Sequence, residues 1–567
     1  MTQASSTPTI TPTILGISGG GHDAAAALLR GTELVAALEE EKLARVRRAS
    51  GLPARAMQYC LQAGRVRPEN VDYIAVARPL HGETGDRGAA EASVAAWGPK
   101  QLKQDFPASK VLVLDHHLCH AAAAYFPSPF DEAGILTLDE TGDLKTGSLS
   151  LARGSRIEPL EDAYAPDSLG NVFSRATALA GFAAGSDEHK LQWLSAWGNP
   201  VYAPVFRSIL QRDGDSLLSV DQSYFLGARS DRGGFAEKFF AATGIPAAEP
   251  LSEQTRGDLA ASAQQVLEEV VLEIACRLAS RAPGAALVLA GGVALNSLLV
   301  EKLETSGMFP EVFVQPAAGN AGNALGAALY CAHSLLGLSP RMRLEHLYYG
   351  PEYSVSEIKD VLENCKLRFR YLQTREEILA EAVSILQRNH ILGWFQGRAE
   401  FGPRALGARS ILGSPLGPYV SDNLNEYVKH REKFRPFAAS VAEERAGEFF
   451  EYGATAKFLA SVGRIQPPWE KTFAANLLPG RPQEGKEGKD GGAGPQRLRV
   501  HVVRRNANPL FWELLEAFGR ASGLPVLFNT SFNLFGEPLV CSPRDAVRSF
   551  FCSGIDHLIL GNFLLSK

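Results

Sequence analysis

Short apolar runs, each long enough for a buried strand and too short to cross a membrane, recur between glycine turns and helical stretches in this 567-residue chain. TILGIS at 13–18 is followed by runs at 34–38, 73–76, 111–114, 135–138 and 286–290. Residues 119–125 read as helix. From 262 to 282, Val266, Val270, Val271, Ile274, Ala275 and Leu278 share one helical face just before the run at 286. Strand alternating with helix predicts an α/β fold. The turn-rich YYGPEYS precedes another amphipathic helix at 356–364, which places a boundary between units at about 339–351. The expected layout is a frayed start (1–12), one unit over 13–345 and a second over 350–567. Within the second, the Gly-, Pro- and charge-rich 481–496 is expected to be a flexible, solvated loop. No tandem repeat is evident by eye.

Charge narrows the partners. Lys and Arg number 57 against 62 Asp and Glu, a net charge of −5. That balance gives no electrostatic case for bulk nucleic-acid or membrane-surface binding, so an anionic ligand must be met by a local basic cluster. The N-terminus lacks a basic region followed by an apolar stretch, which predicts no secretory signal and a soluble, cytoplasmic protein. Seven dispersed cysteines without a C-x-x-C pair read as buried thiols.

Chemistry-bearing residues are concentrated in a few segments. In LDHHLCHAAAAYF (114–126), His116 and His120 lie four apart, on one face if the segment is helical, and Asp139 ends the run ILTLD. Two imidazoles and a carboxylate make a reasonable set of metal ligands; the plainer reading is a helix capped by Asp115 with partly exposed histidines. His117 then points elsewhere. In GGGHDAAAALL (19–29), His22 is either a general base or a polar turn residue. LVLAGGVALNSLL (287–299) reads as strand, Gly291-Gly292 and helix, a geometry that offers backbone N–H groups to a nucleotide or merely packs helix on strand. Between 398 and 435, Arg398, Arg404, Arg409, Lys429, Arg431, Lys433 and Arg435 sit among Gly, Pro and aromatics, which favours a small-anion pocket over a solvated face. In GLPVLFNTSFNLFGEP (523–538), Asn529, Thr530, Ser531 and Asn533 follow a strand and suit ligand recognition, or an Asx-rich turn.

Taken in order, GHDAAAALL, EEEKLARVRR (39–48), HHLCHAA, GSDEHKLQWLSAWG (185–198), LAGGVALN, QPAAGNAGNALGAAL (315–329), FQGRAEFGPRALGARSIL, VKHREKFRPFA and NTSFNLFGEPLVCSP resemble the O-carbamoyltransferases of antibiotic and nodulation-factor biosynthesis. The resemblance spans nearly the whole chain. It implies an N-terminal domain like the tRNA threonylcarbamoyltransferases, of the actin and sugar-kinase ATPase fold, followed by a YrdC-like domain. It also implies that carbamoyl phosphate and ATP give carbamoyl adenylate, whose carbamoyl group passes to a hydroxyl of a small molecule. His116, His120 and Asp139 are then ligands of a divalent metal of the Fe(II) type, with Mg as nucleotide counter-ion, and His22 is the base. Lys190, Gly291, Gly292 and Asn296 would contact nucleotide. Arg398, Arg404, Lys429, Arg431 and Arg435 would hold carbamoyl phosphate and ATP, with Asn529 and Ser531 beside them; Arg404 and Lys429 are the expected catalytic members. A homodimer is left open.

Some positions depart from the family pattern. Asn320 stands where many members have a metal-binding Asp, so the metal would gain a neutral, weaker ligand. Phe535 stands where a polar residue is common, His189 replaces a usual Gly, and Ser195–Trp197 replaces smaller residues. Two alternatives follow: a kinase of the same ATPase superfamily, or a degenerate nucleotide-binding homologue.

Overall fold

The computed structural model describes residues 11–78, 99–211, 216–227, 231–247, 250–473 and 496–567. The expected frayed start and flexible loop therefore lie, but for their last residues, outside the described residues.

The N-terminal half is built on one sheet design used twice. Strands β1 (Thr13–Ser18), β2 (Ala25–Arg30), β3 (Glu33–Glu39), β4 (Tyr73–Ala77) and β5 (Lys110–Leu114) pair in the order β3-β2-β1-β4-β5. The β1-β2 and β2-β3 pairs are antiparallel; β1-β4 and β4-β5 are parallel. Strands β6 (Glu132–Gly142), β7 (Lys145–Arg153), β8 (Arg156–Tyr164), β9 (Ala286–Ala290) and β10 (Val312–Val314) repeat that order as β8-β7-β6-β9-β10, with the same directions. This duplicated topology is the ATPase-type α/β architecture that the resemblance implies, and it is a repeat that the letters alone do not display. Strand β2 also departs from expectation, which runs from the strand at 13–18 through a glycine turn to the next strand at 34–38 with none between. Ala25, Ala26 and Ala27 are all 0% exposed, so the alanines pack both faces of a sheet where larger side chains would not fit.

Helix α1 (Glu40–Ala44) follows β3 directly, and α2 (His116–Tyr125) follows β5. Asp115 caps α2 by accepting from Leu118 N at 3.0 Å. Helix α3 (Glu188–Leu194) and the long α4 (Glu253–Arg281) precede β9, and α5 (Ser297–Thr305) follows it. Helix α6 (Gly322–Tyr330) lies against α2 so closely that a Cβ at Gly326 would overlap the Cys119 carbonyl. The two helices therefore touch main chain to main chain, with Ala121, Ala122, Ala124, Ala324, Ala327 and Ala328 filling the seam.

Among the described residues, the C-terminal half is built on a mixed sheet of ten strands. These are β11 (Arg370–Tyr371), β12 (Leu392–Phe395), β13 (Arg409–Gly413), β14 (Ala438–Ala442), β15 (Phe450–Glu451), β16 (Val462–Ile465), β17 (Arg497–Val503), β18 (Val526–Ser531), β19 (His557–Leu560) and β20 (Phe563–Ser566). Their order is β11-β20-β19-β12-β13-β18-β14-β17-β16-β15. Helix α7 (Pro509–Ser522) buries Phe511, Leu514, Leu515 and Phe518 against it. The halves meet through specific polar contacts: Arg497 pairs with Glu301 at 3.1 Å, and Thr455 N donates to Glu304 Oε1 at 3.0 Å.

Among the cysteines, Cys60, Cys119, Cys331 and Cys541 are buried as expected, whereas Cys276, Cys365 and Cys552 are exposed. No helix among the described residues is long and apolar enough to cross a membrane.

Candidate active site

A cavity of about 630 Å³ opens between the halves and is lined from both. At one end the end of β6 meets the start of α2. There His120 Nε2 lies 3.0 Å from Asp139 Oδ2 and 3.0 Å from His116 Nε2, and His116 Nε2 is 3.5 Å from the same carboxylate oxygen. His116 Nδ1 donates to the Arg78 carbonyl at 2.8 Å, so its Nε2 is the atom turned toward Asp139 and His120. Two imidazole nitrogens and a carboxylate oxygen, all within 4.8 Å of one another, need a shared positive charge, and a divalent cation fits that donor set. Burial pushes the Asp139 carboxyl up, but the hydrogen bonds and charges of the two histidines outweigh it and hold the group well below the carboxylate range. His117 turns away and bonds Thr137 Oγ1 at 2.8 Å. Asp115 thus caps the helix as the plainer reading expects, but the histidines are buried rather than partly exposed, and His116 and His120 converge on Asp139.

The Gly291-Gly292 turn closes this corner. Gly291 has φ +91°, and a Cβ on it would strike the Leu138 carbonyl; one on Gly292 would come within 2.8 Å of Asp139 Oδ1. Asn296 lines the cavity, yet its amide is engaged: it caps α5 and exchanges two hydrogen bonds with Gln264, at 2.8 and 3.0 Å.

His22 lies beside this corner with its side chain 40% exposed, and its Nδ1 is 2.9 Å from Asp23 Oδ2. That contact engages Nδ1 and orients the ring. Burial raises the Asp23 carboxyl, but the hydrogen bond and charge of His22 lower it further, keeping it ionised. Asn320 Nδ2 is 3.4 Å from both nitrogens of His22, and its buried Oδ1 has no hydrogen-bond partner, so a donor or cation would satisfy it.

The opposite end is cationic. Arg404, Lys429, Arg431, Arg435 and Arg499 all line it. Burial pushes Arg404 and Arg435 down to about 10, Arg404 also through the charge of Arg435. Burial, then neighbouring guanidinium groups, depress Lys429, Arg431 and Arg499 well below their ordinary values. Arg431 Nη2 and Arg499 Nε are buried without hydrogen-bond partners. Glu432 offsets part of this charge; it is 3.6 Å from Arg435 and 3.1 Å from Lys190. Clustered guanidinium groups with unpartnered nitrogens suit the oxygens of an anion. Lys429 Nζ donates to the carbonyls of Ser531 and Asn533 at 2.8 Å each, and so ties the end of β18 to the site. Asn529 bonds Ser440 Oγ at 3.1 Å and keeps a partnerless Oδ1.

Other residues stand differently from expectation. Arg398 does not join the cluster: its guanidinium donates to the carbonyls of Val35, Tyr349 and Gly350 at 3.1, 2.8 and 3.1 Å, outside the cavity. Arg409 is fully buried against the Phe395 ring and bonds four carbonyls. Lys190 is paired with Asp187 and Glu432 at 3.1 Å each. Its Nζ also lies 5.6 Å from the ring of Phe535, which is 62% exposed at the cavity. Arg499, by contrast, is not among the residues that the sequence picks out. It sits on β17, 64 positions beyond Arg435 in the chain (499 − 435), and only the alternation Arg497, Arg499, His501 along a strand hinted at an inward face.

Comparison with known proteins places these features in one family. The family model described as carbamoyltransferase N-terminus matches residues 13–90 and 90–329, and the one described as carbamoyltransferase C-terminus matches 383–567. An uncharacterized protein of Synechocystis sp. is 34% identical over 98% of this chain and 96% of its own length. Nodulation protein NolNO of Sinorhizobium fredii is 34% identical over 96% of this chain and 79% of its own, and NolO of Bradyrhizobium diazoefficiens 34% over 80% and 79%. Among solved structures, HypF of T. kodakarensis aligns over 58% of this chain and 48% of that chain at 14% identity and a TM-score of 0.32, too remote to assign anything here.

Proposed function

The chain belongs to the carbamoyltransferase family and is a carbamoyltransferase; from that premise we propose that it is ATP-dependent, makes carbamoyl adenylate from carbamoyl phosphate and ATP, and transfers the carbamoyl group to a small-molecule hydroxyl. The observation that carries the reading is one cavity with a cation-seeking corner at one end and an anion-seeking cluster at the other.

At the cationic end, Arg404, Arg431, Arg435 and Arg499 bind the phosphate oxygens of both substrates, and Lys429 holds the end of β18 so that Ser531 and Asn529 face them. Carbamoyl phosphate loses phosphate to water; an oxygen of the resulting carbamate attacks the α-phosphorus of ATP, and pyrophosphate leaves. The guanidinium groups stabilise the charge that builds up on the departing pyrophosphate.

At the other end, His22 accepts the proton of the acceptor hydroxyl at Nε2, with Asp23 stabilising the imidazolium. The hydroxyl oxygen bonds to the carbamoyl carbon and AMP departs. His116, His120 and Asp139, with Asn320 as a neutral fourth donor, would hold an iron-type divalent cation. Such a cation supplies Lewis-acid polarisation and phosphate neutralisation when bound. The Gly291-Gly292 turn admits nucleotide close to the main chain, Asn296 fixes α5 behind it, and Lys190 with Phe535 forms the opposite lip. Both substrates are cytoplasmic metabolites, so the protein acts there.

The test is to incubate the purified chain with carbamoyl phosphate, ATP and a panel of hydroxylated natural products. AMP, pyrophosphate and a product heavier by one carbamoyl group are expected. ADP in place of AMP would indicate a kinase, and nucleotide binding without turnover a degenerate homologue.

A further inference from the structure

The mechanism leaves unused a buried cation, Lys42 on α1, which is 1% exposed and belongs to the N-terminal half. Its Nζ donates to the carbonyls of Glu400 and Gly402 at 2.7 and 2.8 Å and pairs with Glu39 Oε2 at 2.9 Å. Two ammonium protons are thus donated to main-chain carbonyls, and the Glu39 carboxylate sits beside the cation as its counter-charge. Glu39 completes the grip: its Oε1 accepts from Gly402 N at 2.7 Å. The turn is thus held by its carbonyls and by its N–H from one short segment, 39–42, in the other half of the molecule.

That turn sets the course of the arginine loop. Gly402 has φ +103°, a conformation that side chains rarely adopt, and Arg404 lies two residues on. Arg404 Nη2 in turn donates to the Leu295 carbonyl of the N-terminal half at 3.2 Å. From the C-terminal side, Glu400 Oε1 accepts from Leu406 N, Ala408 N and Arg409 N at 2.8, 2.9 and 3.2 Å, closing the loop into a cradle.

We infer that Lys42 and Glu39 are positioning residues for the anion site: the N-terminal half builds the loop that aims Arg404, so the site is composite even though most of its cations belong to the C-terminal half. The inference rests on the proposed role of Arg404 and extends it. Loss of the clamp lets the loop relax, and Arg404 then no longer meets the anion in register with Arg431, Arg435 and Arg499.

A double-mutant cycle on the full chain tests this, with inorganic pyrophosphate as probe and affinity read by calorimetry. Arg404→Ala should weaken binding by about ten- to a hundredfold, Lys42→Met by about tenfold, and the double variant no more than Arg404→Ala alone. Glu39→Gln, which keeps an oxygen for Gly402 N, should give a smaller loss of the same kind and serves if Lys42→Met does not fold. Arg497→Ala breaks another contact between the halves and should lower thermal stability with pyrophosphate affinity unchanged. Additive losses in the double variant, unchanged affinity in Lys42→Met or Glu39→Gln, or an equal loss in Arg497→Ala would overturn the inference. Normal affinity in Arg404→Ala would instead overturn the anion-site reading beneath it, and the inference with it.

Discussion

The two ends of the cavity solve opposite electrostatic problems by opposite means. The histidine corner gathers its donors from one helix and one strand end, His116 and His120 a single turn apart and Asp139 where β6 runs past them. Its negative charge and lone pairs face one another and call for a cation. The arginine end draws on residues as far apart as Arg404 and Arg499, on loops and on a strand, and sets like charges side by side. A compact donor set can be placed by local helix geometry, whereas a cluster of mutually repelling cations needs a scaffold that pulls several elements together. The glycine turn, the Lys42 clamp and the Lys429 tie supply it.

If the ends divide the chemistry in this way, variants should separate the two steps. The largest effect is expected from Asp139→Asn or from chelation. Carbamoyl transfer should fall about a thousandfold, the worth of several kcal/mol of Lewis-acid stabilisation, while ATP–pyrophosphate exchange driven by carbamoyl phosphate persists. Equal loss of both would dissolve the distinction. His22→Ala should slow transfer by about a hundredfold at neutral pH, again sparing exchange, as measured by product formation under saturating acceptor. Arg404→Ala should do the reverse, cutting exchange by about thirty- to a hundredfold, and loss confined to transfer would reassign that arginine.

The smallest effect concerns stability. His501, behind the arginines and bonded to Ser440 Oγ, is held down at about 3 by burial and by the Arg499 charge. An unfolded imidazole takes up its proton near 6.5, so between about pH 6.5 and 3 the unfolded chain is the more protonated state. This group's contribution to stability is present above that window and declines as pH falls through it, by at most about 1.4 kcal/mol per pH unit. His501→Gln should flatten the acid limb of a denaturant-melt series, and an unchanged slope would mean that the arginine end does not press on its surroundings.

The same contrast explains what could be read from the letters. His116 and His120 show themselves because helical spacing is local, and Asp139 because it terminates an apolar run. Arg404, Lys429, Arg431 and Arg435 were legible as a cluster, but Arg398 and Arg409 share their segment and their composition while spending their guanidinium groups on main-chain carbonyls. Which arginine turns inward depends on loop conformations such as that of Gly402, and those are set by contacts from the other half. Arg499 was invisible for the converse reason, since nothing in a strand sequence names its neighbour across the sheet. The α/β class followed from alternating periods, but strand β2 and the duplicated sheet did not, because alanine-rich strands carry no β-branched signature and topology leaves no periodic trace.

The seam at Gly326 bears on which ion the proposed metal site would select. With α2 and α6 in main-chain contact at Cys119, one residue before His120, the helix that carries the two imidazoles has no space to shift toward its neighbour. A frame that cannot flex discriminates by ionic radius: it accepts cations whose bond lengths match its fixed opening and rejects larger ones however abundant. Adding a single methyl group at Gly326 would act there like a shim, changing the gauge of the site without touching a ligand.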